Sequence, residues 1–197
     1  MKATDAKVNT LPVTPAQGAD DREAHPKHWV AALVQMRCEK SVSKKLHDLQ
    51  IENYVATQWE IHQWSDRRKK VERVIIPMVV FIRTDAQTQK HLVTYSFIYK
   101  LLTYPGQKTP AIIPDSQIER LKFMLKQSET MVQMHDHLFQ TGEQVRIVRG
   151  PLKGLEGELC RVESDKPMVA VRIESLGYAC VNIEKSDLEI IKNFSNV

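Results

Sequence analysis

Four consecutive cations, Arg67, Arg68, Lys69 and Lys70, are the side chains of this sequence whose type and spacing best support chemistry. Such a cluster attracts the phosphates of a polyanion, and the resulting binding is salt-dependent and largely indifferent to base sequence. A run of charges is also common at a hairpin tip that only faces solvent. The location of this run favours proximity to nucleic acid, because it lies in the only basic part of the chain.

The charge of the protein is unevenly distributed. The net charge of the 197 residues is +4. Residues 27–140 carry 17 basic and 11 acidic side chains, whereas residues 1–26 carry 3 and 4 and residues 141–197 carry 8 and 9. A bound polyanion is therefore expected on the middle of the chain, and a large basic surface is not expected near the C-terminus.

Catalysis and metal binding have little support in the sequence. It contains no glycine-rich phosphate loop, no nucleophile elbow and no His-Glu-x-x-His motif, so we predict neither an enzyme nor a cofactor. His135 and His137 have no cysteine or further histidine nearby, which makes a metal site improbable. The three cysteines, Cys38, Cys160 and Cys180, are far apart, odd in number and without Cys-x-x-Cys spacing, which argues against a disulfide framework or zinc site and fits a reducing cytoplasm.

Neither a signal peptide nor a membrane anchor is predicted. Residues 1–26 are rich in Ala, Thr, Pro and Asp and lack the apolar core of a signal peptide. We expect them to form a disordered tail, with a short partner-binding peptide as the alternative. No apolar run approaches the roughly 20 residues that span a bilayer.

The cations are predicted to lie at the tip of a hairpin. Asn53–Trp64 alternates as a strand does, Asp66–Lys70 supplies the turn, and Val71–Arg83 returns as a second strand. Its β-branched residues predict a strand that is buried on both faces or lies under a helix. Pro77 has no backbone donor and is expected to mark a bulge or an edge.

The flanking elements predict an α+β fold. Strands are expected at His28–Val34 and Phe97–Leu102. Helices are expected at Glu39–Gln50, with Val42, Leu46 and Leu49 on one face, from Asp85 to about Val93 with Asp85 as the cap, and from Asp115, as N-cap, with Ile118, Leu121 and Leu125 on one face. An antiparallel sheet with packed helices, an α/β sandwich, follows over residues 27–128.

The C-terminal part has a different texture. Residues 129–140 lack steady periodicity and are predicted to be a linker. Residues 141–193 consist of short alternating stretches separated by glycine turns, which predicts a small all-β, SH3-like barrel.

Residues 141–159 of this barrel resemble the KOW motif of transcription elongation factors and some ribosomal proteins. Its glycines are expected to supply positive φ or close backbone approach. The motif positions in this sequence are Gly142, Arg146, Gly150, Pro151, Gly154 and Gly157. Because the C-terminal part is slightly acidic, Arg146 is expected to be a surface charge of the barrel rather than an RNA-binding residue.

The N-terminal part resembles the N-terminal (NGN) domain of the NusG family. The resemblance rests on Trp29 in the first strand, the basic hairpin and the stretch Ile75–Phe81. It covers about residues 27–192 and is greatest for the UpxY-type antitermination factors that regulate polysaccharide operons. This chain has Met78-Val79 where many members have Gly-Tyr, and Ile75-Ile76 where many have aromatics.

The resemblance implies a transcription elongation or antitermination factor. The N-terminal domain would bind the clamp region of RNA polymerase through an apolar patch that maps to Ile76, Pro77 and Met78. The four hairpin cations would face upstream or non-template DNA, with Lys44 and Lys45 as further candidates. The barrel would recruit a ribosomal protein or a termination factor, and the protein would act as a cytoplasmic monomer.

Two other functions compete with this hypothesis. The first is a general housekeeping NusG-type elongation factor, although the long polar tail and the departures around Pro77 favour a specialised member. A KOW protein that binds RNA or the ribosome would be expected to have a strongly basic barrel, but residues 141–197 have a net charge of −1.

Overall fold

A computed structural model of the chain describes residues 26–63, 68–138, 140–161 and 167–191. Its helices are α1 (Glu39–Asp48), α2 (Ala86–Leu92) and α3 (Asp115–Gln127). Its strands are β1 (His28–Leu33), β2 (Asn53–Tyr54), β3 (Thr57–Gln63), β4 (Arg68–Val74), β5 (Val79–Thr84), β6 (Lys100–Leu101), β7 (Gln133–His135), β8 (Gln140–Ile147), β9 (Glu156–Arg161), β10 (Met168–Ile173), β11 (Gly177–Asn182) and β12 (Leu188–Ile190). The predicted α+β class is confirmed. The predicted tail lies almost wholly outside the described residues.

The N-terminal part is built on a four-stranded antiparallel sheet in the order β2-β5-β1-β6. Both central strands are apolar on both faces, so each face of the sheet can bury a layer of helix. Val30 and Ala32 of β1 pack in one cluster with residues of α1 and α2. Trp29 and Ala31 pack in another with residues of α3. The helices therefore cover both sides of the sheet.

The predicted strand Val71–Arg83 is interrupted. β5 is buried on both faces as expected, but β4 is largely exposed, and residues 75–78 form a connection between them. Pro77 lies in this connection rather than at a bulge or an edge within a strand. The backbone cannot continue as a strand there because Met78 adopts a left-handed φ of 64°. The predicted strand Asn53–Trp64 is likewise divided into β2 and β3.

The helices match the predicted pattern except near their ends. Val42 and Leu46 of α1 are buried, but Leu49 is exposed because the helix ends at Asp48. Asp85 caps α2 as predicted, accepting a 2.7 Å hydrogen bond from the Thr88 amide. Asp115 is not the N-cap of α3.

Pro114 takes the N-cap position of α3, and Asp115 is the first helical residue. The Asp115 carboxylate instead accepts a 3.3 Å hydrogen bond from Arg83. The apolar stripe of the helix is as predicted, with Ile118, Leu121 and Leu125 buried. The strand expected over residues 97–102 is reduced to β6.

The C-terminal part is a six-stranded antiparallel sheet in the order β12-β8-β9-β10-β11-β7. Its sheet-rich character confirms the predicted all-β texture. The first strand of this sheet, β7, lies inside the segment predicted to be a linker and pairs with β11. The paired residues are 43 to 47 positions apart, so this pairing could not be read from the short, irregular sequence around Gln133–His135.

Helix α3 contacts both parts of the molecule. The Gln117 side-chain oxygen accepts a 2.8 Å hydrogen bond from the Glu174 amide, at the end of β10. Arg120 lies 3.7 Å from the Glu156 carboxylate of β9. One continuous apolar cluster joins the α3 stripe to residues of the C-terminal sheet such as Val145 and Ile147. The two parts are therefore packed against each other.

A buried glutamine ties β3 to the segment that follows α3. The Gln58 amide nitrogen donates to the Thr130 carbonyl at 2.9 Å and to the Ser128 carbonyl at 3.3 Å. Its oxygen accepts from the Val132 amide at 2.9 Å. A buried amide whose donors and acceptor are all used is strongly specified in position.

Replacing Gln58 with alanine is expected to lower the free energy of unfolding by about 2 kcal/mol, because the Val132 amide and two carbonyls lose a buried partner. Urea denaturation measures this loss. The matched control is Gln63→Ala, since Gln63 is exposed at the other end of the same strand. Equal stability of the two variants would show that the buried bonds contribute nothing net.

Candidate interaction site

The turn between β4 and β5 contains the three residues predicted to contact another protein. Ile76 is only 6% exposed and belongs to the core, so it was wrongly predicted as a surface residue. Pro77 is exposed and Met78 is partly buried. Met78 has a left-handed φ of 64° at the end of this turn, in which Pro77 is exposed, Met78 is partly exposed and Ile76 is buried.

A buried carboxylate holds this turn in place. Glu39, at the start of α1, is 3% exposed, and its Oε1 accepts hydrogen bonds from the Met78 amide at 2.7 Å and the Arg37 amide at 3.2 Å. Burial opposes the charge of Glu39, but the backbone hydrogen bonds outweigh it and lower its pKa below the usual 4.5. The ionised carboxylate therefore stabilises two left-handed residues, because Arg37 also has a positive φ.

The neighbouring surface is more apolar than the sequence suggests. The Met78 carbonyl accepts a 2.8 Å hydrogen bond from the Val34 amide, and the Tyr99 amide donates to the Leu33 carbonyl at 2.8 Å. Tyr99 and Met78 therefore flank the end of β1, and the exposed Met36 follows two residues after Val34. We call Met36, Pro77, Met78 and Tyr99 the apolar edge. Met36 and Tyr99 had no distinguishing pattern in the sequence.

The basic residues lie on a two-stranded ribbon formed by β3 and β4. Lys69 and Lys70 were predicted to lie in the turn, but both belong to β4 together with Arg68. The strand begins earlier than predicted because it pairs with β3 as far as Gln63–Arg68. All three cations are exposed. Arg67 lies outside the described residues.

The two faces of the ribbon differ in character. Directly paired residues share a face, so one side of the ribbon, which we call the Trp59 face, carries Trp59, Ile61, Gln63, Arg68, Lys70 and Glu72. The Lys70 ammonium is 5.0 Å from the centre of the Trp59 ring, a cation–π contact. Gln58 belongs to the opposite face and is buried against residues that follow α3.

The acidic residue of the Trp59 face, Glu72, lies directly opposite Trp59 and is already paired with a cation. Glu72 is bonded to Lys40 of α1 at 2.6 Å and to the Thr57 hydroxyl at 2.7 Å. The Lys40 and Thr57 bonds lower the Glu72 pKa, so the group remains a carboxylate. Its charge is balanced by Lys40, which leaves Arg68 and Lys70 as the excess charge of this face.

The lysines proposed on α1 are less closely placed. Lys45 lies over the Phe97 ring at 5.2 Å from its centre, and Lys44 is exposed. Lys40, which sequence reasoning did not select, is the lysine of α1 that reaches the ribbon. Lys40 and Glu72 are 32 residues apart in the sequence, so only the folded structure reveals their contact.

The KOW-motif residues have structural contacts. Arg146 is bonded to Glu156 at 2.6 Å, and this bond raises the Arg146 pKa. Gly154 has a φ of +91°, and Gly157 lies so close to β10 that a Cβ would be 2.5 Å from the Ala170 carbonyl oxygen. The other motif residues also lie in this region, with Gly142 in β8 and Gly150 and Pro151 in the turn that follows.

Neither a metal centre nor a membrane span is found in the described ranges. No group of three His, Cys, Asp or Glu side chains there is arranged to hold a metal ion. Likewise, no helix within those ranges combines the length and apolar character needed to cross a bilayer.

Comparison with known proteins identifies the N-terminal part. Residues 27–122 match the family model described as "Transcription termination factor nusG". The chain is 27% identical over 152 residues to the transcription termination/antitermination protein NusG of Pasteurella multocida (strain Pm70), which covers 74% of this chain and 81% of that protein.

Two solved structures are also similar, each at 16% identity. One is described as "Domain interaction in Thermotoga maritima NusG". Its TM-score is 0.43, and the aligned region covers 84% of this chain and 98% of the Thermotoga maritima chain. The second, of the MjSpt4:Spt5 complex, has a TM-score of 0.27 and covers 83% and 96%. On the family match, residues 27–122 of this chain form a domain of the NusG transcription factor family.

Proposed function

We propose that the protein is a transcription elongation and antitermination factor that binds the clamp region of RNA polymerase through the apolar edge. The observation that carries this proposal is the hydrogen bond from the Met78 amide to Glu39, which fixes a turn with Pro77 exposed and Met78 partly exposed. A few apolar side chains surrounded by polar groups are typical of the anchor of a protein interface.

Next to this edge, the ribbon would face nucleic acid. Arg67, Arg68, Lys69 and Lys70 would attract the phosphates of upstream or non-template DNA, with Lys44 and Lys45 as secondary contributors. The C-terminal sheet would recruit a ribosomal protein or a termination factor. Its Arg146 is paired with Glu156, which supports a partner other than RNA.

We further propose that the protein acts as a monomer in the cytoplasm on a specific polysaccharide operon, as UpxY-type factors do. The departures from the usual family residues, Met78-Val79 and Ile75-Ile76, support a specialised member. The alternative is a general factor. In vitro transcription decides between them: a specialised factor increases read-through on the leader of its own operon and not on unrelated leaders, whereas a general factor acts equally on both.

Replacing Met78 with glutamate is expected to weaken polymerase binding at least tenfold, a loss of about 1.4 kcal/mol, because a charge would be desolvated at the interface. Titration of labelled protein with core polymerase measures the affinity. Ile76 is unsuitable for this test, since a charge in the core would unfold the domain. Ile190→Glu is the control, because Ile190 is an exposed apolar residue of the C-terminal sheet.

The folded state of each variant is checked by circular dichroism. Full polymerase affinity of a folded Met78→Glu variant would refute the proposed contact, even if the protein still promoted read-through. A parallel loss in Ile190→Glu would show that added negative charge, rather than the apolar edge, weakens binding.

A further inference from the structure

We propose that the Trp59 face of the ribbon is a stacking site for single-stranded DNA, with Trp59 as the platform for a base. This inference rests on the proposed function only in taking the ligand to be the DNA strand exposed during transcription. It adds a site that depends on the ring of one side chain and on its distance from the cations.

The exposure of Trp59 is the first observation. Trp59 is 56% exposed and Ile61, two residues further on the same face, is 69% exposed. They belong to a two-stranded ribbon whose β3 and β4 pair only with each other in the described part of the chain. The two side chains lie on the same face of the ribbon, so together they expose adjoining apolar surface that a ligand can cover.

The charge of the face indicates which ligand. Lys70 lies over the Trp59 ring and Arg68 follows along the same side of β4. Glu72 is balanced by Lys40, so the surplus charge is positive. An apolar protein partner would have to desolvate these cations, whereas a strand of nucleic acid brings phosphates to them and bases to the ring.

The strandedness follows from the geometry of stacking. A side-chain ring can stack only on a base whose face is free, and in a duplex both faces of each internal base are already covered. Duplex DNA can therefore use Lys69 and the other cations but not Trp59. A single strand can use both, and Ile61 offers apolar contact to the neighbouring sugar or base.

The site is tested by fluorescence anisotropy with the full chain and a labelled mixed-sequence single-stranded oligonucleotide. Trp59→Ala and Trp59→Leu are expected to weaken binding about tenfold, because both remove the stacking ring, whereas Trp59→Phe retains most of the affinity. Affinity for a duplex of the same sequence is expected to be unchanged in all three variants. Lys70→Gln should reduce the salt dependence of single-strand binding by about 0.7 in log–log slope.

Tyr99→Ala provides the matched control, since Tyr99 has the same exposed fraction, 56%, but lies on the apolar edge. It is expected to bind the oligonucleotide as the wild type does. The inference is overturned if Trp59→Leu retains wild-type affinity, if single-stranded DNA is bound no better than the duplex, or if RNA of the same sequence is bound more tightly than DNA.

The two proposals fail separately. Met78→Glu should retain its affinity for the oligonucleotide and lose affinity for polymerase. Trp59→Leu should lose affinity for the oligonucleotide and retain its affinity for polymerase, when polymerase is titrated without nucleic acid. A protein that binds polymerase but does not bind single-stranded DNA would overturn the stacking site and leave the proposed function standing.

Discussion

Alanine in place of Glu39 is expected to lower the free energy of unfolding by about 3 kcal/mol. The variant leaves the amides of Met78 and Arg37 without their acceptor, so two residues with a left-handed backbone lose a hydrogen bond that stabilises them. Urea denaturation followed by circular dichroism measures the loss. Because the Met78 turn is part of the apolar edge, polymerase affinity should fall as well.

Glutamine at the same position separates charge from hydrogen bonding. Glu39→Gln keeps an oxygen acceptor, so its cost at neutral pH is expected to be smaller, about 1–2 kcal/mol. The pKa of Glu39 is lower in the folded than in the unfolded protein. Its contribution is therefore fully present above pH 4.5, the unfolded value, and is lost as the pH falls through the folded pKa.

The stability difference between the wild type and Glu39→Gln should accordingly shrink as the pH is lowered below 4.5. Denaturation curves of both proteins at neutral and acidic pH test this directly. A difference that stays constant with pH would mean that the ionised form of Glu39 has no advantage in the folded protein.

Alanine in place of Gly157 is expected to cost about 3 kcal/mol in the C-terminal sheet. The added Cβ would lie 2.5 Å from the Ala170 carbonyl oxygen and 2.8 Å from a Val169 methyl carbon. One of these contacts is with backbone, so β9 and β10 must separate and lose part of their pairing. Thermal unfolding monitored by circular dichroism reports the loss.

Gly154→Ala is the matched control for this variant. Gly154 lies in the turn before β9, where a Cβ would meet nothing within 4 Å, but its φ is +91°. Alanine at this position is expected to lower the free energy of unfolding by only about 1–2 kcal/mol, the cost of a left-handed backbone. A loss at Gly154 as large as that at Gly157 would show that backbone conformation, rather than close approach of the strands, determines the requirement for glycine.

Local patterns in the sequence predicted the main elements of the fold. The apolar residues of β1 predicted a strand, those of β5 predicted a buried one, and the spacing of Ile118, Leu121 and Leu125 predicted the stripe of α3. These predictions succeeded because periodicity is a property of neighbouring residues. The predicted N-cap at Asp115 failed because Pro114 occupies that position.

The candidate site was less predictable because its contacts are distant in sequence. Glu39 and Met78 are 39 residues apart, and the hydrogen bond between them helps to fix the turn in which Pro77 is exposed and Ile76 is buried. The alternation of β3 marked Trp59 as a large residue of a strand. It could not show that this strand belongs to a separate ribbon with no core behind that face.

The position of Gln58 has a mechanical consequence for the ribbon. Gln58 immediately precedes Trp59 on β3. Its side chain is hydrogen-bonded to the backbone of Ser128, Thr130 and Val132, in the segment that connects α3 to β7. A force on the Trp59 side chain therefore acts on β3 one residue from the hydrogen bonds that join the ribbon to the connection between the two parts of the molecule. Because Gln58 joins the ribbon to that connection, any tilt of the ribbon must either move the connection with it or break these hydrogen bonds.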